Sequence, residues 1–360
     1  MSTNEQKRPP RIVFSFAALV LALVFVAVSY FFLPHENPAA YLQGTQTLLV
    51  TGAMMPQQDA TERMRDAAEL PLRAAAGMAS EQAQKEASRR ATPTEAPVAA
   101  RATKHKIEGD AATSVAATNA NGILTQAIGT IEDKGYTVAF VVHDVQTGRE
   151  ITYNSNQELY PASSIKGPFV ASVYQQLVEK GEVKLKAVEP TAKITILESS
   201  DEGYRTLIKD FGVKHFIQWL KDAGVEPGSY KTYESMTSWN YPHISARQLE
   251  LMWAHLYDYL TKTDSAAAKQ LADFFDKREE SSLRKALDPS MRSWSKMGWF
   301  DRESEYHSAP ATVEAGVVFA DNGPYVVSVM TTMPALLDEL VPLHRALYRA
   351  HMDMVPAQTT

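Results

Sequence analysis

The sequence predicts an α+β fold. An antiparallel sheet is built from strands at the N- and C-terminal ends of a globular region, a block of helices lies between them, and an apolar segment and a polar stalk precede it. Three observations carry this. Residues Tyr136 to Asn154, "YTVAFVVHDVQTGREITYN", form two β-rich runs about the turn Gln146-Thr147-Gly148. The middle of the chain repeats apolar residues at helical spacing, as in Phe169, Val170, Val173 and Leu177. Residues Glu314 to Met333, "EAGVVFADNGPYVVSVMTTM", form two more β-rich runs about Asp321-Asn322-Gly323. Strands from both ends can pair into one sheet with helices packed against it.

At the N-terminus, Lys7, Arg8 and Arg11 precede an apolar run over residues 12–33, which only Ser15, Ser29 and Tyr30 interrupt with polar atoms. About 20 apolar residues span a bilayer core, so the run is long enough for a transmembrane signal anchor. A cleavable signal has a shorter apolar core and a small-residue cleavage site, for which Ala39-Ala40 is a poor match. The basic flank places residues 1–11 in the cytoplasm and everything after Leu33 outside it. Residues 34–119 are rich in Ala, Gln, Glu, Arg and Thr, with no aromatic after Tyr41. Such a stretch buries too little apolar surface to offset its ordering entropy, and it reads as a disordered or helical stalk.

The globular domain is expected over residues 120–352, with a tail at 353–360. It opens at Gly122-Ile123-Leu124 with a short helix that has Ile128 and Ile131 on one face. After the first strand pair, a helix follows Ile165. Ser245 and Gln248 form a capping box ahead of Leu249, Met252, Trp253, Leu256 and Leu260. Leu271, Phe274 and Phe275 mark another helix, and a last one runs from Leu336 to about Met352.

Composition narrows the function. Hydrophobic residues make up 45% and charged residues 22%, an ordinary globular balance. A net charge of -6 argues against a nucleic-acid partner, because phosphate neutralisation needs clustered Lys and Arg. The chain has no cysteine, which removes disulfides, thiolate catalysis and thiolate metal sites. The histidines are scattered without H-E-x-x-H, no Gly-rich phosphate loop or G-x-S-x-G occurs, and no cofactor or metal is expected. His243 and His307 read as surface or turn residues.

Three short motifs carry chemistry. In "YPASSIKGPF", Ser163 lies three residues before Lys166 at the start of a helix. One turn separates them, so the amine can lie beside the hydroxyl. A partly desolvated lysine among other cations can lose its proton and act as a base. Ser163 or Ser164 can equally be a plain helix cap. The S-x-x-K pattern recurs at Ser282 with Lys285 and at Ser293 with Lys296, so the pattern alone does not decide. The second motif is Ser200-Asp201-Glu202 in "ESSDEGYRTLI", where Ser199 and Glu202 also fit a capping box. The third is Lys296-Met297-Gly298 in "SWSKMGWF", which can also be a surface lysine beside a turn glycine.

Taken in this order, the three motifs resemble the serine β-lactamase and penicillin-binding protein superfamily, whose signature is S-x-x-K, then S-D-N, then K-T-G. Class A β-lactamases are the nearest likeness, and it covers about Asn121 to Met352. The resemblance implies a β-lactamase/transpeptidase-like fold and a set of roles. Ser163 is the acylated nucleophile and Lys166 its base or proton relay. Ser200 passes a proton to the leaving nitrogen. Lys296 tunes Ser200 and attracts a substrate carboxylate. The N–H groups of Ser163 and Trp299 form the oxyanion hole, with Gly298 beside them. Glu234, in "GSYKTYESMTSWNYPH", is the implied activator of the deacylating water, although Asn240 is not at the family's spacing from it.

Two departures bear on activity. Glu202 puts an anion where the family has a neutral Asn, which would keep Lys166 charged. Met297 replaces a hydroxyl residue. The expected protein is a membrane-anchored, extracytoplasmic serine hydrolase that forms an acyl-enzyme with β-lactams and hydrolyses it. Acyl transfer or hydrolysis on D-Ala-D-Ala peptidoglycan stem peptides is the alternative, and a catalytically weak cell-wall-binding module is the third reading.

Overall fold

The computed structural model of the chain describes residues 106–228, 230, 236, 241–278, 281–302 and 309–355. The expected membrane segment, most of the stalk, Glu234, Asn240 and His307 lie outside the described residues. Among the described residues, no helix is long and apolar enough to cross a membrane.

The elements alternate as the sequence implies. Helices α1 (Ala112–Ala116) and α2 (Asn119–Glu132) precede strands β1 (Val138–Asp144), β2 (Glu150–Tyr153) and β3 (Glu158–Leu159). A 3-10 turn, Ala162–Ile165, runs straight into α3 (Lys166–Val173), which ends in a π-helical turn at Tyr174–Val178. Then come α4 (Leu185–Leu197), α5 (Asp201–Phe211), α6 (Lys214–Asp222), β4 (Ile244–Ser245), α7 (Ala246–Lys262), α8 (Ala266–Lys277) and α9 (Ser282–Ala286). Strands β5 (Ser293–Phe300), β6 (Ala311–Ala320) and β7 (Gly323–Thr331) follow, and a 3-10 turn at Leu337–Leu340 leads into α10 (Val341–Met354).

The main sheet has five strands in the order β2-β1-β7-β6-β5. All neighbours are antiparallel, with Phe140 opposite Val329, Val317 opposite Val326 and Met297 opposite Glu314. Strand alternation divides the core in two. Ala139, Val141, Ala315 and Val317 face the helical block, against Phe169, Trp253 and Phe275. Phe140, Val142, Val318 and Val329 face α2 and α10, against Leu124, Ile128, Leu343 and Leu347. A sheet covered on both faces explains why β1 reads as the unbroken apolar run "VAFVV".

Two local devices form as the sequence predicts. The capping box is complete: the Gln248 N–H donates to Ser245 Oγ (3.1 Å), and the Ser245 N–H donates to Gln248 Oε1 (2.9 Å). The β6–β7 hairpin turns at Asp321-Asn322, with Gly323 at φ +128°, a backbone conformation suited to glycine.

The domain boundary at residue 120 needs correction. Glu108 and Thr152 exchange two backbone hydrogen bonds, at 2.9 and 2.8 Å. Ala111 and Val115 are fully buried in the α2–α10 core. The domain therefore begins near Ile107. Two buried apolar residues within a run of Ala, Thr and Ser are too sparse to show as periodicity. The C-terminal boundary also moves, because Met354 and Val355 are buried.

Candidate active site

Ser163 is held by a tight local construction. It lies in the 3-10 turn that feeds α3, and Ser164, fully buried, donates its hydroxyl to the Pro161 carbonyl (2.7 Å). Ala162, just before it, has φ +47°, a left-handed conformation that costs a non-glycine residue roughly 1–2 kcal/mol. Such strain persists only where the surroundings fix it. Ser163 itself is half-buried.

The strand β5 supplies the surroundings. It is the edge strand of the sheet and lies against the Ser163 turn. A Cβ on Gly298 would come within 2.4 Å of the Ser164 nitrogen, 2.5 Å of the Ser163 nitrogen and 2.9 Å of the Pro161 oxygen. Only glycine permits this approach, which is why the third motif keeps its glycine. The half-buried Trp299 follows at once. Behind the strand, Ser295 donates its hydroxyl to the buried Glu314 carboxylate (2.7 Å), which ties β5 to β6 beside Lys296.

The two lysines meet at a single residue, Ser199. Lys296, fully buried, donates through Nζ to Ser199 Oγ (2.8 Å) and to the Met297 carbonyl (2.8 Å). Lys166, also fully buried, donates to the Ser199 carbonyl (2.6 Å) and to Asp201 Oδ1 (2.5 Å). Ser199 has φ +57°, so here too a strained residue aims its polar atoms, the hydroxyl at one lysine and the carbonyl at the other.

This corrects the register of the second motif by one residue. Ser200 does not meet Lys296. It is the N-cap of α5, and its hydroxyl accepts the Gly203 N–H (3.0 Å). Glu202 is exposed in the first turn of α5, and the anion beside Lys166 is Asp201. The capping box expected between Ser199 and Glu202 does not form, because the helix starts one residue later. The chemical segment is Ser199-Ser200-Asp201. The signal that finds it is the helix start: a serine that caps α5 through Gly203 is committed locally, which leaves the serine before it to turn inward.

The remaining sites sort clearly. Met297 pairs with Glu314 and is fully buried on the sheet face opposite Lys296. Ser282 donates to the Leu337 carbonyl (2.6 Å), and Lys285 pairs with Asp338 on the surface, so that S-x-x-K is structural. Ser293 and Lys296 share a strand, where residues three apart face opposite sides. The half-buried His243 rests its ring edge near Tyr160 (6.1 Å between centroids).

Burial sets the electrostatics. It pushes the Lys166 amine below the ordinary lysine range, the Asp201 carboxylate opposes this, and Arg205 and Arg278 push it down further. As a neutral amine, Lys166 has two N–H donors. Its two acceptors, the Ser199 carbonyl and Asp201, take both and leave the lone pair for a proton. Burial first, and then Asp201, push the Tyr160 hydroxyl, three residues before Ser163, above the ordinary phenol range, which keeps it protonated.

A half-buried serine at a strained turn, a buried lysine one turn on, and a serine hydroxyl joined to a second buried lysine are the equipment of a serine hydrolase acting on amide bonds. The profile described as the beta-lactamase enzyme family matches residues 123–190 and 186–349, and the chain belongs to that family. No curated protein matches the sequence closely enough to count as a relative. Solved structures share the fold. A β-lactamase from Chitinophaga pinensis is similar at 15% identity and a TM-score of 0.53, over 65% of this chain and 100% of that one. One from Xanthomonas campestris pv. campestris is similar at 16% identity and 0.51, over 65% and 99%. A variant of the class A β-lactamase of the last common ancestor of Gram-negative bacteria is similar at 18% identity and 0.51, over 64% and 98%.

Proposed function

We propose that the protein is a membrane-anchored, extracytoplasmic hydrolase that opens β-lactam amides through an acyl-enzyme on Ser163. The meeting of Lys166 and Lys296 at Ser199, behind the Ser163 turn, carries this reading. Ser163 Oγ attacks the amide carbon while Lys166 takes its proton. The resulting oxyanion is received by the N–H groups of Ser163 and Trp299, a donor pair of the kind that removes on the order of 3 kcal/mol from such barriers. As the C–N bond breaks, the Ser199 hydroxyl gives its proton to the leaving nitrogen, and the proton that Lys166 took from Ser163 replaces it. Lys296, already donating to Ser199 Oγ, stabilises the negative charge that develops there. Water then cleaves the acyl–oxygen bond and frees Ser163. Glu234 is the residue proposed to activate that water. The basic residues before the apolar run at 12–33 support the anchored, outward-facing topology.

The test is a time course with a fluorescent penicillin, read by mass spectrometry. A transient adduct on the peptide holding Ser163, absent in Ser163→Ala, is expected. A lasting adduct would instead make the protein an acyl-transferring or peptide-hydrolysing enzyme of D-Ala-D-Ala stems. No adduct would support a binding module. Adduct that persists in Ser163→Ala on another peptide would overturn the site.

A further inference from the structure

Glu314 is a buried carboxylate that the reaction scheme leaves without a role. It lies on β6 opposite Met297, fully buried, on the sheet face away from Lys296. Three donors converge on it. Ser281 Oγ (2.5 Å) and Ser295 Oγ (2.7 Å) donate to Oε1, and the Leu283 N–H donates to Oε2 (3.0 Å). His344 Nε2 stands 3.7 Å from Oε2, beyond hydrogen-bond reach, so among the described residues these three hold the carboxylate. A well-packed apolar residue fills such a position with no charge to desolvate, so packing alone does not call for a carboxylate here. A second feature marks the same point of β5. Gly316 pairs with Ser295, and a Cβ on it would stand 2.1 Å from the Trp294 carbonyl oxygen and 2.8 Å from Ser295 Cβ. The backbone of β6 therefore lies close against β5 at Ser295, as β5 lies close against the Ser163 turn at Gly298. Lys296 stands between these two close approaches, one residue after Ser295 and two before Gly298. A shift of β5 at Ser295 moves Lys296 with it.

We propose that Glu314 is a positioning residue of the reaction: by holding the Ser295 hydroxyl it fixes the seat of β5, and with it the reach of Lys296 to Ser199 Oγ. This rests on the serine-hydrolase reading of the site. Ser281 and Leu283 steady the carboxylate from the start of α9, and Ser295 passes its position to the strand.

The test measures kcat and KM of the full chain with a chromogenic cephalosporin, for Glu314→Gln, Ser295→Ala, the double variant and Ser281→Ala. Gln turns an N–H toward the Leu283 N–H, so its side chain is displaced. Ser295→Ala leaves the carboxylate in place and cuts only its link to β5. Misplacing reacting groups by about 1 Å costs on the order of 100-fold in rate, and part of that shift about tenfold. Glu314→Gln and Ser295→Ala should each lower kcat/KM by about tenfold, with KM raised as well as kcat lowered, because Lys296 both supports Ser199 and attracts the substrate. Loss of folded protein alone lowers kcat and leaves KM unchanged. The double variant should fall no further than Glu314→Gln, since the two residues act in series. Ser281→Ala, which cuts the α9 link and the α9 cap, should lower Tm yet keep kcat/KM within about threefold of wild type. If Glu314→Gln does not fold, Ser295→Ala against Ser281→Ala decides. Wild-type kinetics in Ser295→Ala, additive losses in the double variant, or a loss in Ser281→Ala as large as in Ser295→Ala overturns the proposal and leaves the hydrolase reading intact. Failure of a fluorescent penicillin to label Ser163 in the wild type overturns both.

Discussion

Replacing Gly298 by alanine tests how β5 seats the Ser163 turn. The added Cβ would stand 2.4 Å from the Ser164 nitrogen and 2.5 Å from the Ser163 nitrogen, with the Pro161 oxygen at 2.9 Å. All three are backbone atoms, so no flexible side chain can swing away. Reaching an ordinary 3.4 Å contact with the Ser164 nitrogen requires the strand and the turn to part by about 1 Å. Overpacking of this kind costs about 1–3 kcal/mol, which for a domain of this size lowers Tm by roughly 2–12 °C. The catalytic cost is larger in proportion. A misplacement of about 1 Å between reacting groups costs on the order of 100-fold in rate, and loss of one oxyanion donor costs as much. The expected result for Gly298→Ala is a fall in kcat/KM for a chromogenic cephalosporin of about 100-fold, with a modest loss of Tm. The control is Leu347→Ala, a truncation in the α2–α10 core on the other face of the sheet, which should cost about 2–5 kcal/mol. It should lower Tm at least as far yet leave kcat/KM of the folded protein within about twofold. If Gly298→Ala stays within about threefold of wild type, the close approach does not position the nucleophile, and the account of the site fails.

Asp201→Asn removes the anion that opposes the downward shift of the Lys166 amine, so the neutral base is reached at lower pH. The acid limb of the acylation pH–rate profile should move to lower pH, while the exposed Glu202→Asn leaves it in place; the opposite pattern would restore Glu202 to the mechanism. His215 is buried, with Nε2 donating to the Gly212 carbonyl and Nδ1 bonded to Ser172 Oγ, and burial lowers its pKa from 6.5 to about 4. Its folded pKa is depressed, so its contribution is complete above pH 6.5 and is lost as the pH falls toward 4, at about 1.4 kcal/mol per unit and roughly 3 kcal/mol in all. His215→Gln should flatten the decline in urea stability between pH 7 and 4, and an unchanged slope would show that His215 is not held neutral. Chains starting at Thr118 and at Lys106 should differ in stability, because the shorter one loses Val115, Ala111 and the Glu108–Thr152 pairing. Burying one Val is worth about 1.5–3 kcal/mol, so the shorter chain should melt roughly 3–12 °C lower, and equal melting would mean that this segment is dispensable.

Local chemistry made much of the protein legible in its sequence. The hairpin at Asp321-Asn322-Gly323, the Ser245–Gln248 box and the helical spacing behind Ile165 each act within a few residues, so the sequence shows them directly. The motif order groups Ser163, Lys166, Lys296 and Gly298; in the structure Gly298 lies against the Ser163 turn and the two lysines meet at Ser199. The tertiary structure alone decided between Ser199 and Ser200. That choice depends on where α5 begins and on a lysine 97 residues away, and neither is a property of the segment "ESSDEG". It likewise moved the anion beside Lys166 from Glu202 to Asp201, because a one-residue shift of a helix start rotates every later side chain by about 100°. It also brought residues 107–117 into the domain. Val115 is one apolar side chain in an Ala-rich run, and it counts only because α10, more than 200 residues later, closes over it.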